Sequence, residues 1–173
     1  MIACRLRFLP LVLLLGALCS TPVAATAFTK VRTLSAEATR LLQQGMTRSA
    51  TVRDLTARLE ESDLIVYIEL RRQMPDDLDG GTQLVASVKG HRYVRIWLNV
   101  QLCERAAGIA MLAHELHHAV EISRTREIVD SPSLRAFYAQ AGFRTCRGKT
   151  IECFETADAR RVFGVVMNEL RQR

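Results

Sequence analysis

From Glu104 to about Ile122 the sequence is Ala-rich, with apolar residues at Ile109, Met111, Leu112, Ala113, Leu116 and Val120. This pattern reads as one well-formed helix with at least one side in a core. Into that helix the chain places His114-Glu115-Leu116-His117-His118, so three of its four histidines fall within five residues. Any fold the chain adopts must bury this helix and still give its polar residues a role.

The segment contains the pattern H-E-x-x-H. On a helix, residues four apart share a face, ~6 Å apart along the axis. Two imidazoles so placed, His114 and His118, can bind one zinc ion in tetrahedral geometry. Glu115, beside the first of them, can reach a water on the ion and act as general base. His117 is rotated ~100° from His118 and reads as a cleft-side or solvent residue. A surface helix that merely carries histidines is disfavoured by their clustering and by the apolar residues around them.

Two histidines and a water leave one protein ligand to find. No histidine follows His118, and His91 lies upstream, so a three-histidine site is excluded and the third ligand is expected to be a carboxylate. Glu121 and Glu155 compete. Glu121 is on the ligand face, but an unbroken helix carries it one turn beyond the metal, where it suits a salt bridge or support of a ligand. Glu155 is expected to open a separate helix and to meet the metal from the side, and it is the favoured ligand. Asp158, one turn later, could hold a zinc-binding imidazole by its free N–H; the alternative is that Glu155 and Asp158 only complement a helix N-terminus.

The run His114-Glu115-Leu116-His117-His118-Ala119-Val120-Glu121, followed by Glu155-Thr156-Ala157-Asp158-Ala159, resembles the gluzincins, the thermolysin-type zinc metallopeptidases. In its compactness it resembles the small bacterial minigluzincin domains. The resemblance covers about fifty residues, His114 to Arg161. It implies a zincin-like fold, one zinc ion, a peptide or protein substrate, and a cleft in which an edge strand pairs with extended peptide. Arg92–Leu98 is the expected edge strand. An oxyanion-stabilising group is expected from Tyr93, Tyr138 or His91. The sequence departs from the family at Asp158, one residue closer to Glu155 than the supporting aspartate of thermolysin-like enzymes.

The remaining chain is read in two parts. Residues 1–27 read as a signal peptide: Arg5 and Arg7 precede an apolar run from Phe8 to Cys19, then small residues with sites for cleavage after Ala25 or Ala27. The run is short for a membrane span, which needs about 20 residues; an uncleaved anchor is the alternative. Residues 28–173 read as one domain, exported to the periplasm or secreted, with no stable membrane span once the signal is cleaved. The 24 Lys and Arg against 18 Asp and Glu give +6; loss of Arg5 and Arg7 leaves +4, a mildly basic surface rather than a nucleic-acid footprint. Cys103, Cys146 and Cys153 then remain, in a compartment that permits disulfides. Cys146 and Cys153 flank a turn-like Arg147-Gly148-Lys149 and are the expected bridge, with Cys103 free and buried near the start of the histidine helix.

Helices are expected from about Leu34 to Leu42, from Thr47 or Ser49 to Leu59, over Leu134–Ala141 and over Phe154–Leu170. Strands are expected at Leu64–Leu70, Leu84–Lys89 and Arg92–Leu98, the last two joined by a hairpin at Lys89-Gly90. In the final strand Val94, Ile96 and Leu98 point one way, and Tyr93, Arg95 and Trp97 the other. The order argues for an α+β fold with a small, mostly antiparallel three-stranded sheet, the HExxH helix and a C-terminal helix carrying the glutamate ligand. The expected function is that of an exported zinc-dependent hydrolase, with a catalytically inactive zinc-binding or protein-interaction module as the alternative.

Overall fold

A computed structural model describes residues 28–74, 78–145 and 153–172. The signal segment lies outside them. The described elements run β1 (Val31–Thr33), α1 (Ala36–Arg48), α2 (Ala50–Glu61), β2 (Leu64–Arg71), β3 (Gly80–Val88), β4 (His91–Asn99), a 3-10 turn (Val100–Leu102), α3 (Ala106–Arg124), α4 (Ser131–Ala141), β5 (Phe143–Arg144), β6 (Phe154–Glu155) and α5 (Ala157–Arg171). The fold is α+β, as expected. No described helix is long and apolar enough to cross a membrane.

The main sheet has four strands in the order β1-β2-β4-β3, not three. Its pairings are also not mostly antiparallel: β1–β2 and β2–β4 are parallel, and only the β3–β4 hairpin is antiparallel. The hairpin turns at Lys89-Gly90, both with positive φ, as a two-residue connection requires. β1 is three residues long and is held from outside: the Glu60 carboxylate accepts from the backbone N–H groups of Thr29, Lys30 and Val31. β4 is therefore interior, hydrogen-bonded on both sides, and the expected edge strand Arg92–Leu98 is not an edge. The edge is β3.

Alternation along β2 and β4 sorts the two faces. Leu64, Val66, Ile68, Val94, Ile96 and Leu98 are buried toward the helices. The opposite face is covered by its own long side chains: Arg32 lies over Tyr67, Arg71 over Trp97, and Glu69 pairs with Arg71. α3 packs against the sheet on one side and against α1, α2 and α5 on others. Twelve of its nineteen residues are buried, so this helix is core nearly all round. Ser35, Ser49, Asp130 and Thr156 cap α1, α2, α4 and α5 through their side chains, each satisfying a backbone donor left over at a helix start.

The far end of α3 is secured by Arg92, which is 3 % exposed. Its guanidinium forks onto Asp63 at 2.9 Å through both Nε and Nη2. It also donates to the carbonyls of Ile122, Ser123, Thr125 and Ile128. The last turn of α3 leaves carbonyls without helical partners, and one arginine from β4 takes them up.

Candidate metal centre

His114 and His118, one turn apart on α3, are 8 % and 6 % exposed. Their rings meet edge-on with centroids 4.9 Å apart. Glu155 reaches them from β6. His114 Nε2 lies 3.4 Å from Glu155 Oε2, and His118 Nε2 lies 3.4 Å from Glu155 Oε1. Ligand atoms of the three residues all fall within 4.8 Å of one another. Two ligands ~2.1 Å from a tetrahedral ion stand ~3.4 Å apart, so this His-His-Glu group has the chemistry and spacing to hold a metal ion.

Glu155 is not in the first turn of the last helix. Thr156 takes an extended conformation and its hydroxyl accepts from Ala159 N–H at 3.1 Å, which makes it the N-cap. The residue before an N-cap is off the helix, and here it pairs in a two-strand ribbon with β5. Gly142 permits that pairing: a Cβ there would stand 2.5 Å from the Glu155 carbonyl oxygen. The Glu155 carboxylate also accepts from Thr156 N–H at 2.8 Å.

Glu121 holds the other side of His118. Its Oε2 lies 2.8 Å from His118 Nδ1, which points Nε2 toward Glu155. The same oxygen accepts from the Tyr138 hydroxyl at 3.1 Å. Oε1 accepts from the Thr156 hydroxyl at 2.8 Å and stands 3.5 Å from His117 Nε2. One carboxylate thus ties α3 to α4 and to the segment that carries Glu155. A carboxylate behind a ligand imidazole fixes its tautomer and raises its basicity. Asp158, in contrast, is exposed and pairs with Arg161 at 2.9 Å; it is not brought to the site, because at the start of α5 it points to solvent.

Glu115 is 4 % exposed. Its Oε2 accepts from the Thr82 hydroxyl at 2.8 Å. Burial pushes its carboxyl up to about 7, against the pull of His118 and Thr82. Burial also drives His114 down to about 4, with His118 adding to the effect and Glu155 opposing it. For His118 burial opposes the charge, but hydrogen bonds from the imidazole to Glu121 and Glu155 override it and push the imidazole up to about 10. Glu121 is likewise penalised by burial, yet its bonds to His117, His118 and Thr156 hold it well below the usual carboxylate range. Burial thus disfavours charge on His114, carboxylate neighbours favour it on His118, and both imidazoles turn Nε2 to a single carboxylate.

These residues open onto a cavity of about 580 Å³ lined by Gly80–Gln83, Trp97, Leu134, Tyr138, Phe154 and the three candidate ligands, among others. Of the expected oxyanion groups, only Tyr138 lines this cavity; His91 is exposed at the hairpin. Thr82, Thr156 and the bond from Tyr138 to Glu121 were not foreseen. Only Thr156 carried a local signal, as a threonine three residues before Ala159 at a helix start. Cys153 is disulfide-bonded and Cys103 is a free, half-buried thiol; Cys146, its expected partner, lies outside the described residues. No family model, no curated protein and no solved structure matches this chain.

Proposed function

We propose that the chain is an exported zinc-dependent hydrolase that cleaves peptide bonds, with His114, His118 and Glu155 as ligands and Glu115 as general base. The observation that carries this reading is the convergence of both imidazole Nε2 atoms on the Glu155 carboxylate, each at 3.4 Å, with a second, unshared carboxylate beside them at the cavity. Three protein donors favour an enzyme over a structural site, which takes four and needs no base. A zinc ion held there would supply Lewis-acid polarisation of a carbonyl and acidify a water.

The roles of the protein's own groups follow from their surroundings. Glu115, buried at the cavity next to the proposed ligands, takes the proton of the attacking water as its oxygen adds to the carbonyl carbon. It then delivers that proton to the amine nitrogen as the C–N bond breaks. Glu121 and Tyr138 keep His118 oriented. Trp97, Leu134 and Phe154 give the cavity apolar surface for substrate side chains. Export to the periplasm or beyond rests on Arg5, Arg7 and the apolar run that follows.

The test is Glu115→Gln, assayed on fluorescein-labelled casein with zinc content measured in parallel. The substitution keeps shape and leaves the ligands alone. Zinc should be retained and turnover should fall by ~10²–10⁴-fold. A Gln variant as active as the parent protein overturns the mechanism.

A further inference from the structure

The edge strand β3 begins Gly80-Gly81-Thr82, and each of these residues meets a different part of the cavity wall. A Cβ on Gly80 would stand 2.9 Å from Glu115 Oε1. A Cβ on Gly81 would stand 2.2 Å from Trp97 Cζ2, on the opposite face. The strand start thus lies between Glu115 on one side and the indole on the other: a side chain at Gly81 would overlap the ring, and one at Gly80 would displace the Glu115 carboxylate. Thr82 follows, and its hydroxyl lies 2.8 Å from Glu115 Oε2 and 3.1 Å from the Glu115 carbonyl oxygen. A hydroxyl has one proton to give. The carboxylate oxygen is nearer and makes the stronger, charge-assisted bond. Among the described residues, nothing donates to Oε1.

We propose that Thr82 is the positioning residue for Glu115: its hydroxyl anchors Oε2, and Gly80 keeps the space beside Oε1 clear, so that Oε1 is the oxygen that handles the proton. This rests on the reading of Glu115 as general base. A glutamate side chain has three rotatable bonds to set, and a misplacement of about 1 Å at a reacting group can cost ~100-fold in rate. A β3 that shifts as substrate seats against it would move Thr82, and through it the base. The strand is therefore coupled to the chemistry.

The test uses zinc-loaded protein and three variants. Thr82→Val keeps the shape and removes the hydroxyl; Thr82→Ser restores it; Gly80→Ala places a methyl against Oε1. Crystal structures give the readout that needs no turnover. In Thr82→Val the Glu115 carboxylate should leave its position and in Thr82→Ser it should return; an unmoved, single position in the Val variant overturns the proposal. With labelled casein, Thr82→Val and Gly80→Ala should lower kcat by ~10- to 100-fold with KM and zinc content unchanged, and Thr82→Ser should recover most of the rate. Equal kcat in the Val variant also overturns it. Glu115→Gln run alongside separates the two claims. If it turns over like the parent, the base assignment fails, and the proposed purpose of Thr82 with it. If Gln is inactive and Val is fully active, only the positioning role fails.

Discussion

Glu121 is the residue whose loss the structure prices most clearly. Its two oxygens receive different donors: Oε2 takes His118 Nδ1 and the Tyr138 hydroxyl, Oε1 takes the Thr156 hydroxyl. Glu121→Ala removes the acceptor these three groups share, in a region where Tyr138, His118 and Thr156 are 8 %, 6 % and 4 % exposed. Tyr138 and His118 then keep each other: the hydroxyl stands 3.5 Å from the His118 carbonyl oxygen and 3.2 Å from His118 Nδ1, which can donate to it. A buried donor left unsatisfied costs about 1–3 kcal/mol; with Tyr138 and His118 partly relieving each other and the Thr156 hydroxyl left unpaired, the apoprotein should lose about 2–4 kcal/mol of stability. Glu121→Gln should behave differently. Its amide oxygen can face His118 and Tyr138 while its NH2 donates to Thr156 Oγ1, which has a lone pair to spare beyond the one it gives Ala159 N–H. The Gln variant should cost about 1 kcal/mol or less. Zinc affinity should follow the same order, falling ~10–100-fold in Ala and less in Gln. Urea unfolding of the apoprotein and zinc titration against a competing chelator measure both. Equal losses in Ala and Gln, or an Ala variant as stable as the parent, would refute the reasoning.

Three further outcomes are expected. Burial raises the Glu60 and Glu169 carboxyls, but hydrogen bonds from the N–H groups of β1 and from Ser49 and Thr51 outweigh it, and the Arg92 fork lowers Asp63, so all three lie below their ordinary values. Groups depressed by folding contribute stability above the unfolded pKa of about 4 and lose it as pH falls through their folded values; the urea midpoint should therefore drop below about pH 4, and Glu60→Gln should flatten that slope. Arg92→Met keeps an apolar stem but strips the carbonyls at the end of α3 of their donor, and should lower stability by about 3–5 kcal/mol in thermal or urea unfolding; a loss under about 1 kcal/mol would show that water replaces the arginine. N-terminal sequencing of exported material should begin at Thr26 or Phe28, and an intact Met1 would sink the signal-peptide reading.

What could be read from the sequence was local. The periodicity of α1, α2 and α3, the β-branched run of β2, the Lys89-Gly90 hairpin and the Val94, Ile96 and Leu98 face all lie where pattern places them. Strand direction was not legible. The hairpin announced an antiparallel pair, but α1 and α2 carry the chain back so that β2 runs parallel to β1, and β3 comes between β2 and β4 in the chain yet pairs on the far side of β4, which leaves β2 and β4 parallel neighbours. β1 is too short to show alternation, and its anchor, Glu60, lies 29 residues beyond Val31. At the site, residue types and the four-residue spacing singled out His114, His118 and Glu155. The element that presents Glu155 was misjudged because Thr156, not Glu155, takes the cap. Glu121 and Asp158 both read as possible supports of a ligand; Glu121 is the carboxylate behind His118, while Asp158 faces solvent and pairs with Arg161. Thr82 left no trace in the sequence, since its partner lies 33 residues away.

The central claim is that His114, His118 and Glu155 form one zinc site. Elemental analysis of the purified mature protein, alongside Glu155→Ala, tests it most directly. The parent should carry one zinc per chain and the variant should carry almost none while remaining folded. A Glu155→Ala protein that keeps its zinc, or a parent that neither carries nor takes up the ion, would contradict the account.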